Sequence, residues 1–167
     1  MSATGLDVFD ETLQATHIWL DELTAELGPD RHVAWHMLGA VLRALRDRLP
    51  LELAAPLGSQ LPLLIRGIYY DQWRTVGLPS RYRSLEEFLD SVLDHAGASW
   101  SVDPQDAAIA VFDVLARHLP EGQIRKLRDS LPAEIRALWS DPAQDVGDAG
   151  DIGPVTAHPE DIRNIRT

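Results

Sequence analysis

The chain has 167 residues, 45% of them apolar and 25% charged, a composition that suits one globular domain or two very small ones, with enough chain to bury a core without a metal or disulfide staple. It contains no cysteine, which excludes thiol catalysis, disulfide frameworks, zinc ribbons and iron–sulfur ligation. Its net charge of −11, from 26 acidic and 15 basic residues, repels phosphate backbones and anionic lipid, so nucleic-acid or membrane-surface binding would need a locally basic patch.

The first ten residues carry two acidic side chains and no basic one, and no apolar run follows them, so no secretory signal is expected. The most apolar stretch, 49–65, is broken by Pro50, Glu52, Pro56, Gln60 and Pro62 and is not a membrane span. A soluble, cytoplasmic protein is the expectation. Phe9, Leu13, His17, Leu20, Leu23 and Leu27 recur every three or four residues and predict a first helix with one apolar stripe, ended by Gly28 and Pro29. Asp30 then serves as N-cap of a second helix whose apolar ladder is Val33, Met37, Leu38, Val41, Leu42, Leu45 and Leu49. The short turn between them predicts an antiparallel hairpin.

Pro50 and Pro62 each follow a leucine. Proline lacks the amide proton a helix interior needs but suits a helix start, so each Leu-Pro stops one helix and opens the next, giving short helices at about 51–60 and 62–72. Residues 75–83 read as a loop, and Ser84 with Glu87 forms a capping box before a fifth helix bearing Leu85, Phe88, Leu89, Val92 and Leu93. Asp103 and Pro104 start another, with Ala108, Val111, Leu115 and Leu119 as its stripe. Strand periodicity is absent, and the expected class is all-α.

Sliding residues 40–71 onto 110–141 pairs identical residues at 11 of 32 positions, among them Leu49-Pro50 with Leu119-Pro120 and Leu61-Pro62 with Leu131-Pro132. The reading is an internal duplication: two tandem copies of a four-helix unit, each a long hairpin plus two short helices, at about 8–73 and 84–139, packed as one pseudo-symmetric domain over 1–139. The shared Arg66/Asp71 and Arg136/Asp141 pairs at the end of each unit are expected to be architectural, and positions at which the copies differ are the better places to seek function. Residues 140–167, with five Asp and one Glu against Arg163 and Arg166, read as an acidic linker followed by a short helix at about 159–166.

Two constellations merit weighing. His32 and His36 lie four apart on the second helix, with Glu22 and Glu26 on its neighbour, a set that could hold zinc or half a di-iron site; a partly exposed polar face is the plainer account. The segment around Tyr69, Tyr70, Gln72 and Trp73 is the densest aromatic cluster, suited to a partner surface or to packing over the joint between the copies. Arg43, Arg46 and Arg48, and likewise Arg125, Lys126 and Arg128, form small basic clusters beside Asp47 and Asp129 and read as solvated helix faces. No nucleophile elbow, Walker loop, dinucleotide glycine pattern or EF-hand loop occurs.

The runs Trp19-Leu20, Glu22-Leu23 and Glu26-Leu27-Gly28, then Ala40 through Pro50, then Gln60-Leu61-Pro62 and Ile65-Arg66-Gly67-Ile68-Tyr69-Tyr70 with Trp73, resemble a bacterial family known as domain of unknown function 2267. The resemblance covers about residues 8–139 and implies an all-helical domain; it implies no activity and no catalytic residues. The leading expectation is a non-enzymatic helical interaction module, binding a protein partner or a second copy of itself through Tyr70 and Trp73 with Tyr69 and Gln72, and needing no cofactor. The alternative is a helical bundle holding a small ligand or metal, near His32 and His36 or between the copies.

Overall fold

The structure is a computed structural model and describes residues 2–97 and 101–140. Among these residues it is all-helical: α1 (Asp7–Leu27), α2 (Arg31–Arg48), α3 (Leu51–Gln60), α4 (Leu63–Tyr70), α5 (Leu85–Ala96), α6 (Pro104–His118), α7 (Glu121–Ser130) and α8 (Ala133–Arg136). The expected linker and the helix at 159–166 lie outside the described residues. None of the described helices is long and apolar enough to cross a membrane.

The caps foreseen from sequence form. Gly28 ends α1 at φ 106°, a backbone conformation that L side chains rarely adopt, and its N–H bonds Thr24 O. The Asp30 carboxylate accepts from the His32 and Val33 amides, Asp103 accepts from Gln105 and Asp106, and Ser84 and Glu87 complete their capping box. Each Leu-Pro pair lies between consecutive helices, with Pro50, Pro62, Pro120 and Pro132 as the caps of α3, α4, α7 and α8.

Helix α2 is the hub. From Met37 to Leu42 every residue is buried, as expected where a helix is apolar on all sides, and it packs against α1, α4, α5 and α6. Helix α6 covers its other flank, and α3 meets α7. Buried residues of both halves join one hydrophobic cluster, in which Trp139 stacks on Phe112 with ring centroids 4.3 Å apart.

The stripe expected on α1 needs correction. The helix buries Thr12, Thr16, Trp19, Leu20 and Leu23, whereas Phe9 and Leu13 are 48% and 40% exposed and His17 is exposed. Leu27 borders a cleft with Asp103 and Asp106 at the start of α6, while Trp19 stacks on His118 in its last turn, so the two helices run antiparallel. The residues before Thr16 therefore run past the end of α6. Thr12 and Thr16 can point inward because both hydroxyls are satisfied: Thr16 donates to Thr12 O, and Thr12 Oγ1 accepts from the Leu64 amide.

The arginines shared by the two aligned stretches brace neighbouring helix ends. Arg66 bonds Ser59 O and Leu61 O at 3.1 Å, and Arg136 bonds Arg128 O and Leu131 O at 3.0 and 2.9 Å, so both cap the carbonyl end of the preceding short helix. Asp71 instead faces Arg43 at 3.9 Å. The expected destabilisations follow from burial: Leu23→Ala, fully buried, costs about 2–5 kcal/mol, whereas Phe9→Ala changes stability by no more than about 0.5 kcal/mol. Urea unfolding midpoints of the two variants check this.

Candidate functional site

Helix α4 ends two residues earlier than the pattern predicts, and the cause is an arginine on α2. Arg46 is 2% exposed, and its Nη1 donates to Tyr69 O at 2.7 Å and to Asp71 O at 3.0 Å. These carbonyls would otherwise be orphaned at a buried helix end. With them captured, Asp71 turns extended and Gln72 enters the left-handed region at φ 53°. The solvated-face reading of Arg43, Arg46 and Arg48 is thereby overturned for Arg46, because its charge is neutralised inside the protein.

The neutralising group is Asp47. Its Oδ1 accepts from Arg46 Nε at 2.8 Å, its Oδ2 lies 3.0 Å from His95 Nε2 on α5, and its backbone carbonyl accepts from the Ser80 amide at 2.8 Å. Burial alone would raise the pKa of this carboxyl, but the hydrogen bonds from His95 and Arg46 outweigh it and hold the group below the ordinary value. Arg48 completes the fastening: Nε bonds Tyr82 O at 2.9 Å and its guanidinium lies 5.8 Å from the Tyr82 ring. Burial pushes the Tyr82 phenol up to about 12. Three consecutive residues, Arg46, Asp47 and Arg48, thus tie α4, α5 and the 71–84 segment to the hub helix.

The four aromatic-cluster residues divide by depth. Tyr69 is fully buried, with its hydroxyl on Ala54 O. Tyr70 is half-buried, its hydroxyl bonds Ala55 O at 3.0 Å, and its ring lies over Gly58, where a Cβ would overlap it. Trp73 is half-buried, with its ring 5.4 Å from that of Tyr70 and 5.8 Å from the Arg46 guanidinium; its indole Nε1 is buried without an acceptor. Gln72 is exposed. Beyond them the chain presents Val76, 96% exposed, and the exposed Arg74, Arg81 and Arg83. Arg48, Arg81 and Arg83 line an open cleft of about 510 Å³ with Gly77, Leu78, Pro79 and Ser80.

The other constellation does not assemble. Glu22 accepts from Arg117 at 2.9 Å and lies 3.0 Å from His118, and Glu26 accepts from Arg117 at 3.2 Å. Both carboxylates therefore serve the α1–α6 contact, while His32 and His36 are exposed on α2. Among the described residues no group of three or more His, Asp or Glu side chains is placed to hold a metal ion.

Sequence reasoning missed the clamp and the basic segment it holds. Two signals were available: residues 72–85 contain three arginines and no acid, and the pairing that sets 40–71 against 110–141 puts Ala116 and Arg117 opposite Arg46 and Asp47. The clamp therefore has no counterpart at the end of α6.

The architecture is that of a helical scaffold displaying one irregular, basic, aromatic-edged segment. The chain matches the model of the family described as "Uncharacterized conserved protein (DUF2267)" over residues 16–138, and it belongs to that family. No curated protein matches it.

Asp47→Asn is expected to lower stability at neutral pH by about 1–3 kcal/mol, because it weakens the partner of a buried cation. The folded-state pKa of Asp47 is depressed, so its contribution is complete above the unfolded value and is lost as pH falls through the folded one. The gap between wild type and variant should hold steady down to about pH 4 and close below it, which unfolding curves across pH 2–7 would reveal. Gly58→Ala should displace the Tyr70 ring, cost about 1–3 kcal/mol and alter the near-UV circular dichroism of the Tyr70–Trp73 pair.

Proposed function

We propose that the protein is a non-enzymatic interaction module whose binding surface is the 71–84 segment together with the exposed edges of Tyr70 and Trp73. The observation that supports this most strongly is the combination of fixed anchorage and outward display. The segment has no helix of its own, yet its backbone is fastened at Asp71, Ser80 and Tyr82, while Val76, Arg74, Arg81 and Arg83 face outward. An irregular segment held in one shape loses little entropy on binding, and a large valine at its tip gains most from being covered. Trp, Tyr and Arg are the residue types that carry binding energy at interfaces. Three clefts among the described residues, the one beside this segment included, are open grooves of about 350–540 Å³, and such open shapes suit an extended protein contact better than the enclosure of a small molecule.

The test uses two variants of the full chain. Val76→Asp with Arg74→Glu alters exposed residues of the segment, and Leu63→Asp alters an exposed leucine on α4 as a control. Sedimentation velocity and quantitative affinity capture from the source cell should show the first variant losing association by roughly thirtyfold, about 2 kcal/mol, with its unfolding midpoint unchanged and the control behaving as wild type. Equal recovery by all three proteins would overturn the reading, as would a stoichiometric small molecule or metal retained in native mass spectrometry.

A further inference from the structure

The net charge of the chain is −11, yet the cleft beside the displayed segment is cationic. Arg48, Arg81 and Arg83 line it, and Arg74 stands on the same segment. Among the described residues none of these four arginines lies within ion-pair distance of a carboxylate. Three of the neighbouring acids are engaged elsewhere, Asp47 by Arg46 and His95, Asp71 by Arg43, and Glu87 by the amides of Arg83 and Ser84 and the Ser84 hydroxyl, while Glu86 on α5 makes no ion pair with these arginines. The cleft is thus a concentration of uncompensated positive charge on an acidic protein, which draws an acidic occupant.

The sequence contains a segment of complementary charge. Residues 141–151 hold Asp141, Asp145, Asp148 and Asp151 and no basic residue. This segment follows directly on Ser140, whose hydroxyl bonds Asp113, and α8 begins against α5, where Glu134 accepts from the Leu85 amide at 2.7 Å. Leu85 is two residues from Arg83. Eleven extended residues reach about 36 Å, so the aspartates can span from the end of the described chain to the cleft.

We propose that the Arg48–Arg81–Arg83 cleft, with Arg74, binds an aspartate-rich peptide, and that its occupant in the free protein is the chain's own segment 141–151. The inference rests on the reading of 71–84 as a binding surface and names what covers it. Tethering decides for the chain's own segment over a free acidic peptide. Exposed arginine–carboxylate contacts are individually weak, so a separate peptide binds at about millimolar concentration; covalent attachment through a short stretch of chain supplies a local concentration of the same order. An external partner must then displace the segment, and the acidic residues act as a competitor built into the chain.

The absence of cysteine makes the test clean, since a single introduced thiol takes a spin label at one place. The full chain carrying Ala149→Cys is labelled with a nitroxide, and amide signals of residues 72–85 are followed by nuclear magnetic resonance. At 50 mM salt these amides should broaden selectively. The broadening should vanish at 500 mM salt, where screening acts within a few ångströms, and in the Arg81→Gln, Arg83→Gln variant, whose exposed substitutions leave the fold intact. No broadening of 72–85, or broadening indifferent to the arginine substitutions, would overturn the proposal. The interaction reading would then stand or fall separately on the Val76→Asp, Arg74→Glu comparison, which does not involve residues 141–151.

Discussion

A single buried cation organises the end of α4 and the segment that follows it. Arg46 cannot remain inside the protein without its charge answered and its donors used, and both needs are met within three residues and one helix end. Asp47 supplies the opposite charge, Tyr69 O and Asp71 O take two hydrogen bonds, and the Trp73 ring lies over the guanidinium. Placing that group on α2 fixes where α4 must stop, and the stop creates the irregular segment. The segment is then held by the next two residues of the same helix, Asp47 through Ser80 and Arg48 through Tyr82.

The hub helix therefore does two tasks at once. Toward its middle it is apolar on every side and provides the centre of the core; in its last turn it carries an alternating charge pattern that builds the surface. Helix α6 has no such turn. It ends in Ala116, Arg117 and His118, and Arg117 and His118 reach across to Glu22 and Glu26 instead. The last turn of α2 uses its charges to hold the 71–84 segment, that of α6 to fasten α6 to α1.

Most of the fold was legible because it is written in local chemistry. Asp30, Ser84 and Asp103 act within three residues of themselves, the Leu-Pro pairs act on their immediate neighbours, and the α2 ladder declares its burial by period. The readings that failed depended on distant partners. Thr12 goes inward because its hydroxyl meets the Leu64 amide, fifty-two residues away. Arg46 goes inward because Tyr69 O and Asp71 O await it, and an arginine beside an aspartate on a helix looks the same in sequence whether it is solvated or buried. Of the site, Tyr70, Trp73 and Gln72 were legible as an aromatic cluster; the arginines beyond them were not, since three single arginines spread over a loop form no periodic pattern.

Arg46 holds the 71–84 segment in place through Tyr69 O and Asp71 O. Native-state amide exchange of wild type and Arg46→Met measures this directly, because the methionine keeps the volume while removing the donors and the charge. The amides of Trp73 and Ser80, bonded to Tyr70 O and Asp47 O, should lose at least about tenfold in protection, roughly 1.4 kcal/mol, relative to those in the middle of α6. Equal losses throughout the protein, or unchanged protection at Trp73 and Ser80, would contradict it.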